Sequence, residues 1–393
     1  MKSIPSFYEF FCPVKIICGH KALSHLPYEM ELLGVRRALV VTDQGVQAAG
    51  LLPLVEKAMR GSHCAVGATY DQTPVDSSNH VVNDVAALFR RQNCDCFVAV
   101  GGGSVIDTAK GANIVISEGT DDLMKFQGMD RLTAKMRPLI VVPTTAGTGS
   151  EATCVAVIKD VDKKVKMPFV DDRLYPHLAI IDSHMTKTMP PKITAATGMD
   201  ALTHAVEAYC NLQKNPLSDA LAIAAIEIVF EYLPTAVHKG ADKTARLAMA
   251  NAALMAGVAF SNSMVGVVHA LAHATGAVAR VPHGVANSIF LPYGMEYNLP
   301  KTIASMADLV GPMAVKYPAA EPRERAREAI QAVRMLRGRL HDMCGLPLTL
   351  SEAGVGRDQL EVIARTAVND GSANYNPVEL TYEDALFLLQ QSF

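Results

Sequence analysis

Asp200 and His204 stand four residues apart in the segment Gly198-Met199-Asp200-Ala201-Leu202-Thr203-His204-Ala205-Val206-Glu207. On a helix that step stacks both side chains on one face, where a carboxylate and an imidazole can share a cation. The same four-residue step recurs in Val268-His269-Ala270-Leu271-Ala272-His273-Ala274, and His283 follows in Val281-Pro282-His283-Gly284-Val285. Four of the chain's 12 histidines therefore fall in two apolar neighbourhoods. A lone histidine in such a place is usually a core residue with a hydrogen-bond partner, but several ionisable groups buried together are costly unless they serve a purpose. One carboxylate with three imidazoles from this set makes a nitrogen/oxygen site with room for a substrate oxygen. No cysteine belongs to it, which argues against a thiolate zinc site.

A second kind of chemistry lies upstream. The apolar run Cys96–Val100 leads into Gly101-Gly102-Gly103-Ser104, then into Val105-Ile106-Asp107-Thr108-Ala109-Lys110. Glycines let the backbone approach a ligand closely, and the free amides of a helix start suit a pyrophosphate. Ser104 followed three residues later by Asp107 resembles a capping box. The run Leu139–Val142 leads into a second small-residue loop, Pro143-Thr144-Thr145-Ala146-Gly147-Thr148-Gly149-Ser150. Two such loops after parallel strands belong side by side at the carboxyl edge of a sheet, where α/β proteins bind ligands. Asp43, ending the strand Ala38–Thr42, could accept hydrogen bonds from ribose hydroxyls or serve only as a cap. It precedes the glycine loop, so the ordinary dinucleotide fingerprint, in which the acid follows the glycines, is absent.

The elements that must position these groups divide the chain in two. Short β-branched runs at Ala38–Thr42, Cys96–Val100, Leu139–Val142 and Leu178–Ile181 alternate with helical stretches such as Ser78–Arg91, which predicts a mostly parallel sheet covered on both faces. Past Met189-Pro190-Pro191 the strand signals nearly vanish. Ala195–Tyr209, Pro216–Tyr232, Lys243–Ala259, Val265–Thr275 and Pro322–Met343 read as helices punctuated by Gly and Pro. The expectation is an α/β nucleotide-binding domain over residues 1–187 and an all-helical metal-binding domain over 188–393.

The totals agree. A chain of 393 residues exceeds what one core usually serves. A net charge of −3 gives no reason to expect nucleic acid as a partner. The eight cysteines form no CxxC pair, which suits reduced thiols in a cytoplasm. The opening stretch to Lys15 carries Pro5 and Glu9 and does not read as a signal peptide. From Leu247 to Ala279 no Asp, Glu, Lys or Arg occurs. That stretch holds Asn251, Asn262, His269 and His273, so packed helices are expected rather than a membrane span.

Taken together, GGGSVIDTAK, PTTAGTGSE, TAATGMDALTHAVEAY and HALAHATGAVARVPHGVAN closely resemble the iron-containing (group III) alcohol dehydrogenase family, across essentially the whole chain. The resemblance implies a divalent metal, Fe2+ first and Zn2+ second, on Asp200, His204, His269 and His283, with His273 near nicotinamide and substrate. It implies NAD as cofactor, held by Gly101, Gly102, Gly103 and Ser104 with Asp107, and by Thr144, Thr145 and Thr148. Asp43 would favour NAD over NADP, and Lys166 would reach the nicotinamide ribose. It also implies a small alcohol/aldehyde substrate and a homodimer or larger homo-oligomer.

On that reading hydride moves between the carbinol carbon and nicotinamide, and each half of the chain brings one set of groups to a cleft between them. His273 would relay the hydroxyl proton or shape the pocket. Arg280, the one charged residue in Val265–Val285, could receive an anionic substrate group if it pointed inward, or face solvent. A metal-dependent synthase or polyol-phosphate dehydrogenase on the same framework is the alternative, and it would call for basic side chains around the metal.

Overall fold

A computed structural model describes residues 4–162 and 165–393. The chain forms two compact units, one spanning Cys12–Met189 and one joining the described residues up to Phe11 with Pro190–Phe393.

Among the described residues the first unit has nine strands: β1 (Lys15–Gly19), β2 (Arg37–Val41), β3 (Ala65–Tyr70), β4 (Cys96–Gly101), β5 (Gly128–Met129), β6 (Leu139–Pro143), β7 (Val155–Asp160), β8 (Val165–Val170) and β9 (Leu178–Asp182). Six make one sheet in the order β1-β9-β6-β4-β2-β3, with every pairing parallel. The four runs read as strands from sequence are its four inner members. Their residues alternate between two cores. Leu39, Val41, Phe97, Ala99, Leu139 and Val141 enter one, while Ala38, Val40, Cys96, Val98, Ile140 and Val142 enter the other. Both faces are buried, which is why these strands read as unbroken apolar runs. A small second sheet, β5-β8-β7, was not anticipated. Asn79–Arg91 and Gly103–Ser117 are helices covering the first core.

The second unit is helical. Pro191–Cys210 is buried nearly all round, and Pro216–His238, Lys243–Ser261 and His283–Asp308 pack on it. Close approach is built in: a Cβ at Gly198 would lie 2.3 Å from Leu233 Cδ1. The charge-free stretch from Leu247 to Ala279 is two helices, Lys243–Ser261 and Val267–Ala279, broken where Asn262 caps the first. Among the described residues one helix, Pro216–His238, is long and apolar enough to cross a membrane by length and composition. It carries Pro234 in its interior and packs against three other helices, Pro191–Cys210, Lys243–Ser261 and Pro322–Cys344.

Candidate metal centre and cofactor loops

Three helices of the second unit converge. Pro191–Cys210 carries Asp200 and His204, Val267–Ala279 carries His269 and His273, and His283 is the first residue of His283–Asp308. One donor atom each from Asp200, His204, His269 and His283 lies within 4.8 Å of the other three. The His204 and His269 rings stack at 4.5 Å between centroids, and the His269 and His283 rings lie 5.4 Å apart. Asp200, His204 and His269 are buried, and His283 is partly exposed. His273 stands beside the group rather than in it, its ring 5.2 Å from that of His283.

The electrostatics suit a cation. Burial alone would push the Asp200 carboxyl up, yet the three imidazoles and the Asn287 amide more than offset it and hold it below its usual range. Burial, reinforced by the neighbouring histidines, drives His269 well below the ordinary histidine value, so it is neutral and its ring can offer a lone pair. Asn287 adds a second sign. Its Nδ2 lies 2.6 Å from Asp200 Oδ1, 3.2 Å from His269 Nε2 and 3.1 Å from His283 Nε2. Its Oδ1 is buried and meets no donor among the described residues. Lone pairs of three side chains thus converge where a single amide serves them all. A borderline divalent cation fits this three-nitrogen, one-oxygen set.

Sequence reasoning passed over three residues here. Glu207, one turn beyond His204, accepts from His269 Nδ1 at 2.6 Å and from the amides of Gly266 and Val268. Burial raises its carboxyl to about 7, against the pull of those donors. Asp370 accepts from His273 Nδ1. Asn287 sat inside a quoted motif without a role. Glu207 had a usable signal, since a carboxylate three residues after a ligand shares its helix face. Asp370 had none.

In the first unit, β4 and β6 are adjacent, with Gly101 opposite Pro143 and the Thr144 amide donating to Gly101 O at 3.0 Å. The two small-residue loops therefore lie side by side, as expected of parallel neighbours. A Cβ at Gly102 would meet Thr145 at 3.2 Å, and one at Gly103 would meet Thr148 at 3.0 Å. β2 flanks β4 on its other side, and Thr42 Oγ1 donates to Val100 O, which brings Asp43 to the same edge. Asp43 caps the short helix Gln44–Ala48 by accepting from the Val46 amide at 2.8 Å.

The capping-box expectation is corrected. The helix starts at Gly103 with Gly102 as its N-cap, so Ser104 lies inside the first turn and donates to Val75 O instead. No side-chain hydrogen bond caps this helix, and the first amides it closes on itself are those of Val105 and Ile106, both donating to Gly102 O at 3.1 Å. Asp107 is buried. It accepts from Ser150 Oγ at 3.1 Å and from the Val157 amide at 3.1 Å. Lys110, three residues on, donates to the carbonyls of Ser150, Thr153 and Val155 at 2.8–2.9 Å. Both side chains bind the helix to the segment after the threonine loop. Lys166 Nζ pairs with Asp76 Oδ1 at 2.7 Å. Arg280 is exposed at the end of Val267–Ala279, with φ 59°.

Residues 13–183 match the family model of iron-containing alcohol dehydrogenases, and residues 194–393 match the C-terminal model of the Fe-containing alcohol dehydrogenase family. The chain is 36% identical to an NAD-dependent methanol dehydrogenase of Bacillus methanolicus over 98% of this chain and 99% of that one. The solved structure of a 1,3-propanediol oxidoreductase superposes with a TM-score of 0.95 at 36% identity, covering 98% and 100% of the two chains. A sulfoacetaldehyde reductase from Bifidobacterium kashiwanohense, solved with NAD+, gives 0.87 at 28% identity, covering 99% of each.

Proposed function

The chain belongs to the iron-containing alcohol dehydrogenase family, and on that premise we propose that it moves a hydride between NAD(H) and a small primary alcohol/aldehyde pair. Asp200, His204, His269 and His283 would hold the divalent cation, ferrous iron in the cell. Zinc would bind the same donors more tightly by the usual affinity order, so supply decides occupancy. When bound, the cation supplies Lewis-acid polarisation of the substrate oxygen. The single observation that carries this reading is the convergence of one carboxylate oxygen and three imidazole nitrogens within 4.8 Å, three of the four residues being buried.

The remaining work falls to the chain's own groups. The amides at Gly102–Ser104 bind the pyrophosphate, with Thr144, Thr145 and Thr148 lining its other side. Asp107 acts from behind, holding the second loop through Ser150. Asp43 keeps one oxygen on the Val46 amide and offers the other to the ribose hydroxyls. That contact favours NAD, because a carboxylate repels the extra phosphate of NADP. Lys166, held on Asp76, serves the nicotinamide ribose. His273 donates from Nδ1 to Asp370, so Nε2 is the atom that takes and passes on the hydroxyl proton. The 36% identity to an NAD-dependent methanol dehydrogenase over 98% of this chain favours an unphosphorylated substrate over that of a synthase or polyol-phosphate dehydrogenase.

His269→Ala tests the assignment. It should abolish NADH oxidation with propanal while leaving NADH affinity within about twofold, and near-parental turnover would show that His269 is no ligand.

A further inference from the structure

We propose that Glu207 is the positioning residue of the metal centre. From the Pro191–Cys210 helix it closes the N-terminus of the Val267–Ala279 helix and fixes the tautomer that turns His269 Nε2 toward the cation. The proposal rests on the donor set given above.

The N-terminus in question lacks a cap of its own. Its N-cap is Gly266, which has no side chain to offer. Glu207 supplies the missing acceptor from another helix, taking the Gly266 amide on Oε2 at 3.0 Å and the Val268 amide on Oε1 at 2.7 Å. An anion at a helix N-terminus is also favoured by the helix dipole. Gly266 is needed for this approach, because a Cβ there would lie 3.2 Å from Glu207 Oε1 and 2.6 Å from Asn376 Oδ1.

The same Oε2 lies 2.6 Å from His269 Nδ1. Both oxygens already accept from backbone N–H groups, and in its ionised form the carboxylate can only accept, so in that state the ring proton sits on Nδ1 and the Nε2 lone pair is left to the donor cluster. Glu207 and His269 are 6% and 2% exposed, so solvent cannot serve either group in the carboxylate's place. Asp200, His204 and Glu207 are on one helix. One rigid element thus carries two donors directly and sets the third through a hydrogen bond.

Glu207→Gln separates this role from mere filling of space. The amide must turn its NH2 either against the Val268 N–H or toward Gly266 and His269. The first orientation opposes two donors. The second drives the His269 proton to Nε2, which then cannot ligate.

The experiment is Co2+ titration of the metal-stripped full-length protein, read by ligand-field absorption and by chelator competition. Parent, Glu207→Gln, Glu207→Asp and His269→Ala are compared, with NADH affinity measured on each. Glu207→Gln is expected to weaken Co2+ binding by roughly 10–100-fold and to shift the absorption band. Glu207→Asp, which withdraws the carboxylate by one methylene, should move both in the same direction, and NADH affinity should hold in both. A purely structural role would lower the melting temperature without moving the cobalt spectrum. Parental Co2+ affinity and spectrum in Glu207→Gln overturns the proposal, and Glu207→Asp decides by the same comparison if the amide variant does not fold. Failure of the parent to bind Co2+, or His269→Ala binding as tightly as the parent, would instead remove the donor set, and the proposal with it.

Discussion

His273 Nδ1 lies 3.0 Å from Asp370 Oδ2, across 97 residues of sequence. Burial would raise the Asp370 carboxyl, but His273 and the amide and hydroxyl of Ser372 outweigh it and hold it at about 2. The pair gives His273 a fixed tautomer.

Asp370→Asn keeps the shape and removes the charge. Turnover should fall on the order of tenfold or more, with NADH affinity unchanged, and steady-state kinetics beside NADH titration will show it. Unaltered turnover would make His273 a pocket wall. The variant also carries a stability signature. With the folded carboxyl at about 2, below its ordinary 3.8, Asp370 stabilises the fold above about pH 4 and loses that contribution as pH falls through 2. Discounting for partial exposure, the parent should lose on the order of 1–2 kcal/mol over that window that the variant does not.

Gly103→Ala places a Cβ 3.0 Å from Thr148 Cγ2. The two cofactor loops must then separate or the new methyl must crowd the bound pyrophosphate. NADH affinity should drop about tenfold, or ~1.4 kcal/mol. Metal affinity should not change, because the donor set belongs to the other compact unit. Equal loss of both would point to a general folding defect.

Glu151 is 3% exposed, and burial raises its carboxyl to about 7, opposed by its own backbone amide and by Lys110. A folded value above the ordinary 4.5 means the folded state holds the proton more tightly than the unfolded chain. Its contribution is therefore favourable at low pH and lost as pH rises from about 4.5 through 7. The swing is about 3 kcal/mol. Glu151→Gln should raise the thermal midpoint at pH 8 and leave it nearly unchanged at pH 4.5. The same shift at both values would contradict the argument.

Arg280 is exposed and closes its helix at φ 59°. We propose on this exposure that it faces solvent rather than receiving an anionic substrate group. Arg280→Ala should leave kcat/KM for propanal and for sulfoacetaldehyde within about twofold, and a loss confined to sulfoacetaldehyde would reopen an anionic substrate. Arg280→Gly should stabilise the fold by about 0.5–1 kcal/mol, since glycine adopts this backbone without strain.

What could be read from residues alone depended on periodicity. β2, β4, β6 and β9 are buried on both faces, so each left an apolar run that the eye can find. β1 and β3 lie at the sheet edges with every residue exposed or part-exposed, and β3 carries Gly67 and two alanines, so neither left such a run. The helix His283–Asp308 escaped notice because Pro292 and Pro300 lie inside it and its backbone departs from helical at Thr302. In the metal centre the four-residue steps placed two pairs of donors on helix faces. That His269 and not His273 joins Asp200, His204 and His283 depends on how the helices cross, which no spacing records; family resemblance supplied it. Asp370 reaches His273 through tertiary packing alone.

The most direct test is NADH oxidation with propanal by anaerobically purified protein, stripped of metal and then given ferrous iron or zinc. The account predicts that the stripped protein binds NADH but does not turn over, and that ferrous iron restores activity. Undiminished turnover without metal, or none with either metal despite NADH binding, would contradict it.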